Sequence, residues 1–211
     1  QQLEQIRSAE LPHFTAATLP TLFDAEPGVA ARERGLDALT GAAERAVDDG
    51  ASLLILSDRD ICTERAPIPS LLAVAAVHHH LIRVGKRSQC SLIIESGEPR
   101  EVHHFALLIG YGAAAINPYL AFESIEDMLD QGMLPRADGN AREVEQGDEL
   151  TGYLENYIKA VGKGLFKTFS KMGISTLQSY SGAQIFECIG LSRELVDRCF
   201  TGTATRIEGA G

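Results

Sequence analysis

The sequence predicts an α/β fold of repeated strand–helix units around a mostly parallel sheet, arranged as an incomplete (β/α) barrel. Three observations predict it. Short apolar or β-branched runs alternate with longer amphipathic stretches, the pattern of parallel strands joined by crossover helices. One run, Ser52 to Asp58 (SLLILSD), is continuously apolar, as in strands buried on both faces of a parallel sheet. Five such units fit into the 211 residues, whereas a complete eight-unit barrel takes about 250 residues.

Taken in order, His13 to Phe23 (HFTAATLPTLF) reads as a strand with a turn at Pro20. Glu26 to Gly50 follows as a helix, with Leu36, Leu39, Ala43 and Val47 at three and four spacing and Gly50 at the stop. After the SLLILSD strand and the loop RDICTERAP, Ile68 to Gly85 forms the second helix, with Pro69 in its first turn and Gly85 at its end. Cys90 to Ser96 (CSLIIES) is the third strand and Arg100 to Gly112 its helix. Ala113 to Asn117 (AAAIN) and Ala121 to Gly132 make the fourth pair.

The pattern then lapses into a polar, Gly- and Pro-bearing loop near 133–148. A long helix from Leu150 to Gly173 carries Tyr157, Val161, Leu165 and Phe169 on one face. Gly162 and Gly164 lie inside it, where each costs about 1 kcal/mol against Ala, so close packing or a bend is expected. Ile174 to Tyr180 (ISTLQSY) reads as a fifth strand, Gly182 to Gly190 (GAQIFECIG) as a fifth helix, and Arg193 onward as a short last helix capped by Ser192.

Composition narrows the function. The net charge of −10, with Lys and Arg spread thinly, argues against a nucleic-acid partner. The apolar runs are too short for a membrane span, and the first residues do not resemble a signal peptide. Cys62, Cys90, Cys188 and Cys199 show no zinc-type spacing and read as free thiols of a reducing compartment. Neither end looks like a natural terminus, and both read as cut points of a longer polypeptide.

Ligands on parallel sheets gather at the carboxyl ends of the strands. The predicted strand ends carry Ser57, Asp58, Arg59, Glu95, Ser96, Asn117, Ser179 and Tyr180, a polar ring that could contact a ligand, a neighbouring domain or a channel mouth. The same residue types also cap helices and hold loops. The segments ESGEPRE and SYSGAQ place Gly between strand and helix, where free N–H groups could cradle a phosphate, although neither matches GxGxxG or a Walker loop. His78, His79 and His80 are consecutive and point about 100° apart on a helix, so they do not converge on one metal ion; His103 and His104 are likewise adjacent. Packing is the simpler role for all of them. No GxSxG elbow is present, and Lys163, Lys167 and Lys171 form a solvated stripe.

Several long motifs together carry a family resemblance: LLILSDR, ERAPIPSLLAVAAVHHHLIRVGKRS, IIESGEPREVHHFALLIGYGAAAINPYLAFE, NYIKAVGKGLFKTFSKMGISTLQSYSGAQIFECIGLS and FTGTATRI. They resemble the central domain of the glutamate synthase large (alpha) subunit, in collinear order from Phe14 onward. The resemblance implies a domain set between an N-terminal glutamine amidotransferase domain and a synthase domain, where 2-oxoglutarate is aminated on FMN with electrons from an iron–sulfur cluster. It implies a barrel-like topology without cofactor in this segment, and a role in coupling the domains and shaping the ammonia path. No catalytic, flavin-binding or metal residue of the family maps onto these positions.

The resulting expectation is a flexible segment over 1–12, a partial central domain over 13–200, and a segment over 201–211 leading to the synthase domain. The setting expected is the cytoplasm, or a plastid interior in a photosynthetic source. Self-association of the isolated piece is expected as well, because a half barrel leaves apolar surface uncovered. The alternative is an autonomous barrel-like enzyme binding flavin or another phosphate-bearing ligand at the strand ends.

Overall fold

The computed structural model describes residues 2–8, 14–26, 29–134 and 146–210. In chain order the elements are α1 (Gln2–Arg7), β1 (Ala16–Pro20), β2 (Leu22–Asp24), α2 (Val29–Asp48), β3 (Leu53–Ser57), β4 (Arg65–Pro67), α3 (Ser70–Arg83), β5 (Ser91–Glu95), α4 (Val102–Gly110), β6 (Ala113–Asn117), α5 (Tyr119–Asp130), α6 (Gln146–Lys171), α7 (Leu177–Tyr180), β7 (Glu187–Leu191), α8 (Arg193–Cys199) and β8 (Ala204–Ala210), with a 3₁₀ turn at Arg87–Gln89. Most of the polar loop expected near 133–148 lies outside the described residues, and 146–148 already belong to α6.

The central sheet is parallel, in the order β1-β3-β5-β6, so the first four predicted strands are present and adjacent. Its register sets Ser57 opposite Glu95 and Glu95 opposite Asn117, which brings three strand ends into one row. β1 lies on an edge of this sheet, where Pro20 costs no ladder bond. Sequential strands with right-handed crossovers place successive helices on one face. Leu54, Leu56, Leu92 and Ile94 share a core there with Leu36, Leu39, Ala43 and Val47 of α2 and Val74, Val77 and Leu81 of α3. A strand alternates its side chains, so Ile55 and Ile93, also buried, face the opposite side. β2 and β4 form a small antiparallel ribbon beyond the strand ends, tied on by Thr21 N–H to Ser57 O (2.8 Å) and Ile68 N–H to Thr21 O (2.7 Å). Among the described residues the sheet is open, not a closed barrel.

The fifth unit differs from expectation. Residues 174–180 are not a strand: Thr176 caps a single helical turn, its Oγ1 accepting from Ser179 N–H (3.3 Å), and the Tyr180 ring packs on Phe169 at 4.2 Å between centroids. Local capping outweighs β propensity here. Residues 182–190 are not a helix, because Gly182, Gln184 and Gly190 adopt left-handed backbone (φ 76°, 54° and 77°) that interrupts helical hydrogen bonding. The true last unit is β7–α8–β8, a two-stranded parallel ribbon. Ser192 caps α8 as expected, accepting from Leu195 N–H at 3.3 Å.

α6 packs on α4 and α5, and its predicted apolar face is the one turned inward, with Phe169 buried beside Ala106 and Tyr180. The two glycines in it behave differently. A Cβ at Gly164 would meet Val102 Cγ2 at 2.3 Å, so this glycine permits the close approach of α4, while Gly162 has open space around it.

Candidate functional site

The strand-end row is a network of charges with its partners already in place. Glu95, at the end of β5 and 3% exposed, accepts from Ser57 Oγ at 2.5 Å and pairs with the guanidinium of Arg7 and with Arg59 Nε at 3.5 Å. Asp58, equally buried, accepts from Ser96 Oγ at 2.5 Å and from the Gly97 N–H at 3.2 Å. Arg59 stacks 3.8 Å above the Tyr119 ring and donates to Glu123 at 2.9 Å. Burial, and then the hydrogen bond and charge of Asp58, hold the Tyr119 hydroxyl above its ordinary pKa. The backbone carbonyl of Asn117 accepts from Ser96 N–H at 3.1 Å.

Six of the predicted residues, Ser57, Asp58, Arg59, Glu95, Ser96 and Asn117, therefore meet at the ends of β3, β5 and β6. Ser179 and Tyr180 lie on α7 instead, a consequence of the misread fifth strand. The Tyr180 hydroxyl is buried with no hydrogen-bond partner among the described residues. The sequence reading missed Arg7, Tyr119 and Glu98; the signal that could have found an arginine is Glu95 itself, since a carboxylate at the end of a buried strand requires a cation or several donors.

The ESGEPRE turn offers no free anion cradle. Its Gly97 N–H serves Asp58, its Glu98 N–H serves Ser96 Oγ at 3.1 Å, and the Glu98 carboxylate takes the N-terminus of α3 through Ser70 N–H (2.7 Å) and Ser70 Oγ (2.6 Å). In SYSGAQ the Gly182 N–H bonds Gly110 O at 2.8 Å. A flavin phosphate does not fit here: Asp58, Glu95, Glu98 and Glu123 outnumber Arg7 and Arg59, and both arginines already pair with carboxylates. An iron–sulfur cluster does not fit either. Cys90, Cys188 and Cys199 are dispersed through the apolar core, where burial pushes their thiols above the ordinary range, and Cys62 is exposed on a loop.

The histidines have structural work. Arg87 donates from Nε to His78 Nδ1 (2.9 Å) and from its other nitrogens to Cys90 O (2.7 Å) and Gly112 O (2.9 Å). Burial, then Arg87 and His79, lower the His78 pKa to about 4, so the ring is neutral and able to accept. His80 bonds Glu44 at 2.8 Å, in a network that includes Lys86 and Asp48. Among the described residues no group of three or more His, Cys, Asp or Glu is arranged to hold a metal, and no helix is long and apolar enough to cross a membrane.

Fold and strand ends together define a parallel α/β domain whose usual ligand edge is bonded within the chain. It belongs to the glutamate synthase central domain family, whose model matches residues 1–192. The chain is 44% identical over 209 residues to glutamate synthase [NADH] of Saccharomyces cerevisiae, covering 99% of this chain and 10% of that protein. It is 46% identical over 209 residues to the glutamate synthase [NADPH] large chain of Bacillus subtilis, covering 99% and 13%. A ferredoxin-dependent glutamate synthase 2 of Synechocystis is 45% identical over 221 residues, covering 99% and 13%. The chain thus spans only a small part of the length of these relatives. A solved dihydropteroate synthase of Anaplasma phagocytophilum aligns with 72% of this chain and 61% of its own at 14% identity and a TM-score of 0.39, too low for inference.

Proposed function

We propose that this chain is the noncatalytic connecting domain of a glutamate synthase, coupling a glutamine amidotransferase domain to a synthase domain that carries FMN and an iron–sulfur cluster, and helping to shape the ammonia path between them. The parent enzyme makes L-glutamate from L-glutamine and 2-oxoglutarate. The observation that carries the reading is the strand-end network: Asp58 and Glu95 are bonded to Ser57, Ser96, Gly97, Arg7 and Arg59, leaving the row organised to hold loops and neighbouring elements. A second observation supports it. Relatives named for NADH, NADPH and ferredoxin match at 44%, 46% and 45% identity, as expected of a segment that touches no electron donor.

On this reading residues 13–200 are the body of the domain, 1–12 join it to the amidotransferase side, and 201–211, whose β8 pairs with β7 of the body, lead to the synthase side. Asp58, Arg59, Glu95, Ser96 and Asn117 are its candidate domain-contact or channel-mouth residues. The compartment is the cytoplasm, or a plastid interior in a photosynthetic source. Ile158 and Phe166 on α6, and Ile189 and Ile207 on the ribbon, are more than half exposed; in the isolated domain they favour self-association. The autonomous flavin-binding alternative is disfavoured by the carboxylates at the strand ends.

The test is turnover. The purified chain is expected to release no ammonia from glutamine and to form no glutamate from 2-oxoglutarate under reducing conditions; activity above a buffer control in either assay contradicts the reading.

A further inference from the structure

The helices α2 and α3 cover one face of the central sheet, and α1 reaches the other. Thr18, Ile55 and Ile93 share one row of the register and Ser57 and Glu95 the next row on the same face, two residues along. Arg7 touches both rows, donating from Nε to Thr18 Oγ1 at 3.4 Å and pairing with Glu95 at the strand end. The six-residue α1 buries none of its residues, and a helix that short is unstable alone. Something in its contacts must hold it.

Glu95 has the opposite need. It is 3% exposed, and its bond from Ser57 is neutral. Of its two cations, Arg59 is the farther, is 44% exposed in its side chain and is shared with Glu123 and the Tyr119 ring. Arg7, 26% exposed, is the closer one and is steered by a second pairing to Glu4 of its own helix. Burial works against the Arg7 charge, and the bonds to Glu4 and Glu95 more than offset it. A buried carboxylate that loses its close cation is left uncompensated.

We infer that the Ser57–Glu95 strand end is a guanidinium cradle filled in cis by Arg7, and that this contact is the latch holding α1 against the sheet face opposite α2 and α3. The position that a small molecule occupies on other parallel sheets is here taken by the chain's own side chain. Withdrawing α1 exposes a carboxylate cradle suited to another guanidinium or alkylammonium group, such as an arginine from a neighbouring segment.

The experiment uses the full-length chain with Arg7→Met, Glu95→Gln and the double variant. Hydrogen exchange at Ser8, whose N–H bonds Glu4 O at 3.0 Å, reports α1 directly. Either single change is expected to speed that exchange about tenfold, with no further gain in the double variant. In Arg7→Met, guanidinium chloride far below denaturing concentration raises the thermal midpoint above that in equal sodium chloride, and in the double variant it does not. Should Glu95→Gln fail to fold, Arg7→Met alone decides. Unchanged Ser8 exchange in Arg7→Met overturns the latch, and equal midpoints in the two salts overturn the cradle.

Discussion

The central sheet and the β7–β8 ribbon are both parallel, yet they treat their apolar side chains differently. In the sheet, Leu54 and Ile55 point to opposite faces and both are 0% exposed. In the ribbon, α8 packs against both strands, and Cys188 is buried while its neighbour Ile189 is 70% exposed and the paired Ile207 60% exposed. The difference teaches where burial is complete: β3 has buried side chains on both faces of the sheet, and the ribbon leaves the face of Ile189 and Ile207 exposed.

The comparison breaks most easily at Leu54. Leu54→Ala in the sheet is expected to cost about 2–5 kcal/mol of unfolding free energy through lost burial and the cavity left behind. Ile189→Ala in the ribbon is expected to stay within about 0.5 kcal/mol, as for an exposed site. Chemical denaturation of the two variants against the parent chain measures both, and equal losses would remove the distinction.

His78 of α3 is tied to the sheet side through Arg87, which also holds the carbonyls of Cys90 and Gly112, and it adds a pH dependence to the stability of the fold. Its pKa is lowered to about 4 in the fold, from an ordinary 6.5. Between these values the unfolded chain takes up a proton that the folded chain refuses, so stability present above pH 6.5 is lost as pH falls toward 4. His78→Asn, which can keep an acceptor facing Arg87, is expected to flatten the fall in thermal midpoint across this window relative to the parent chain. An unchanged slope would mean that His78 is protonated within the fold.

The smallest effect separates two positions of α6. Gly162→Ala, in open space, is expected to gain up to about 1 kcal/mol from helix propensity. Gly164→Ala should forfeit that gain, because its Cβ would press on Val102 of α4. Melting temperatures of the pair show the sign of each.

The first four units were legible because their strands are short apolar or β-branched runs and their helices carry regular inward faces; Leu36, Leu39, Ala43 and Val47 all reach the core. The fifth was misread for local reasons. Thr176 closes a capped turn where β-formers suggested a strand, and the left-handed backbone at Gly182 and Gln184 stops the helix that the apolar residues around Ile185 suggested. Six of the candidate site residues follow from the strand ends alone. Their meaning depended on partners distant in sequence: Arg7 lies 88 residues from Glu95, and Glu98 lies 28 from the helix start it caps. Periodicity reports the face a residue occupies, and pairing across such distances leaves no mark in it.

The claim that the strand ends are bonded within the chain, with no free cation for a flavin phosphate, is most directly tested by the visible absorption spectrum of the purified domain after incubation with excess FMN and removal of the free cofactor. The expected spectrum has no flavin band, and the wash-through recovers all the FMN. Flavin retained in near-equal amount with the chain contradicts it and restores the strand ends as a cofactor site.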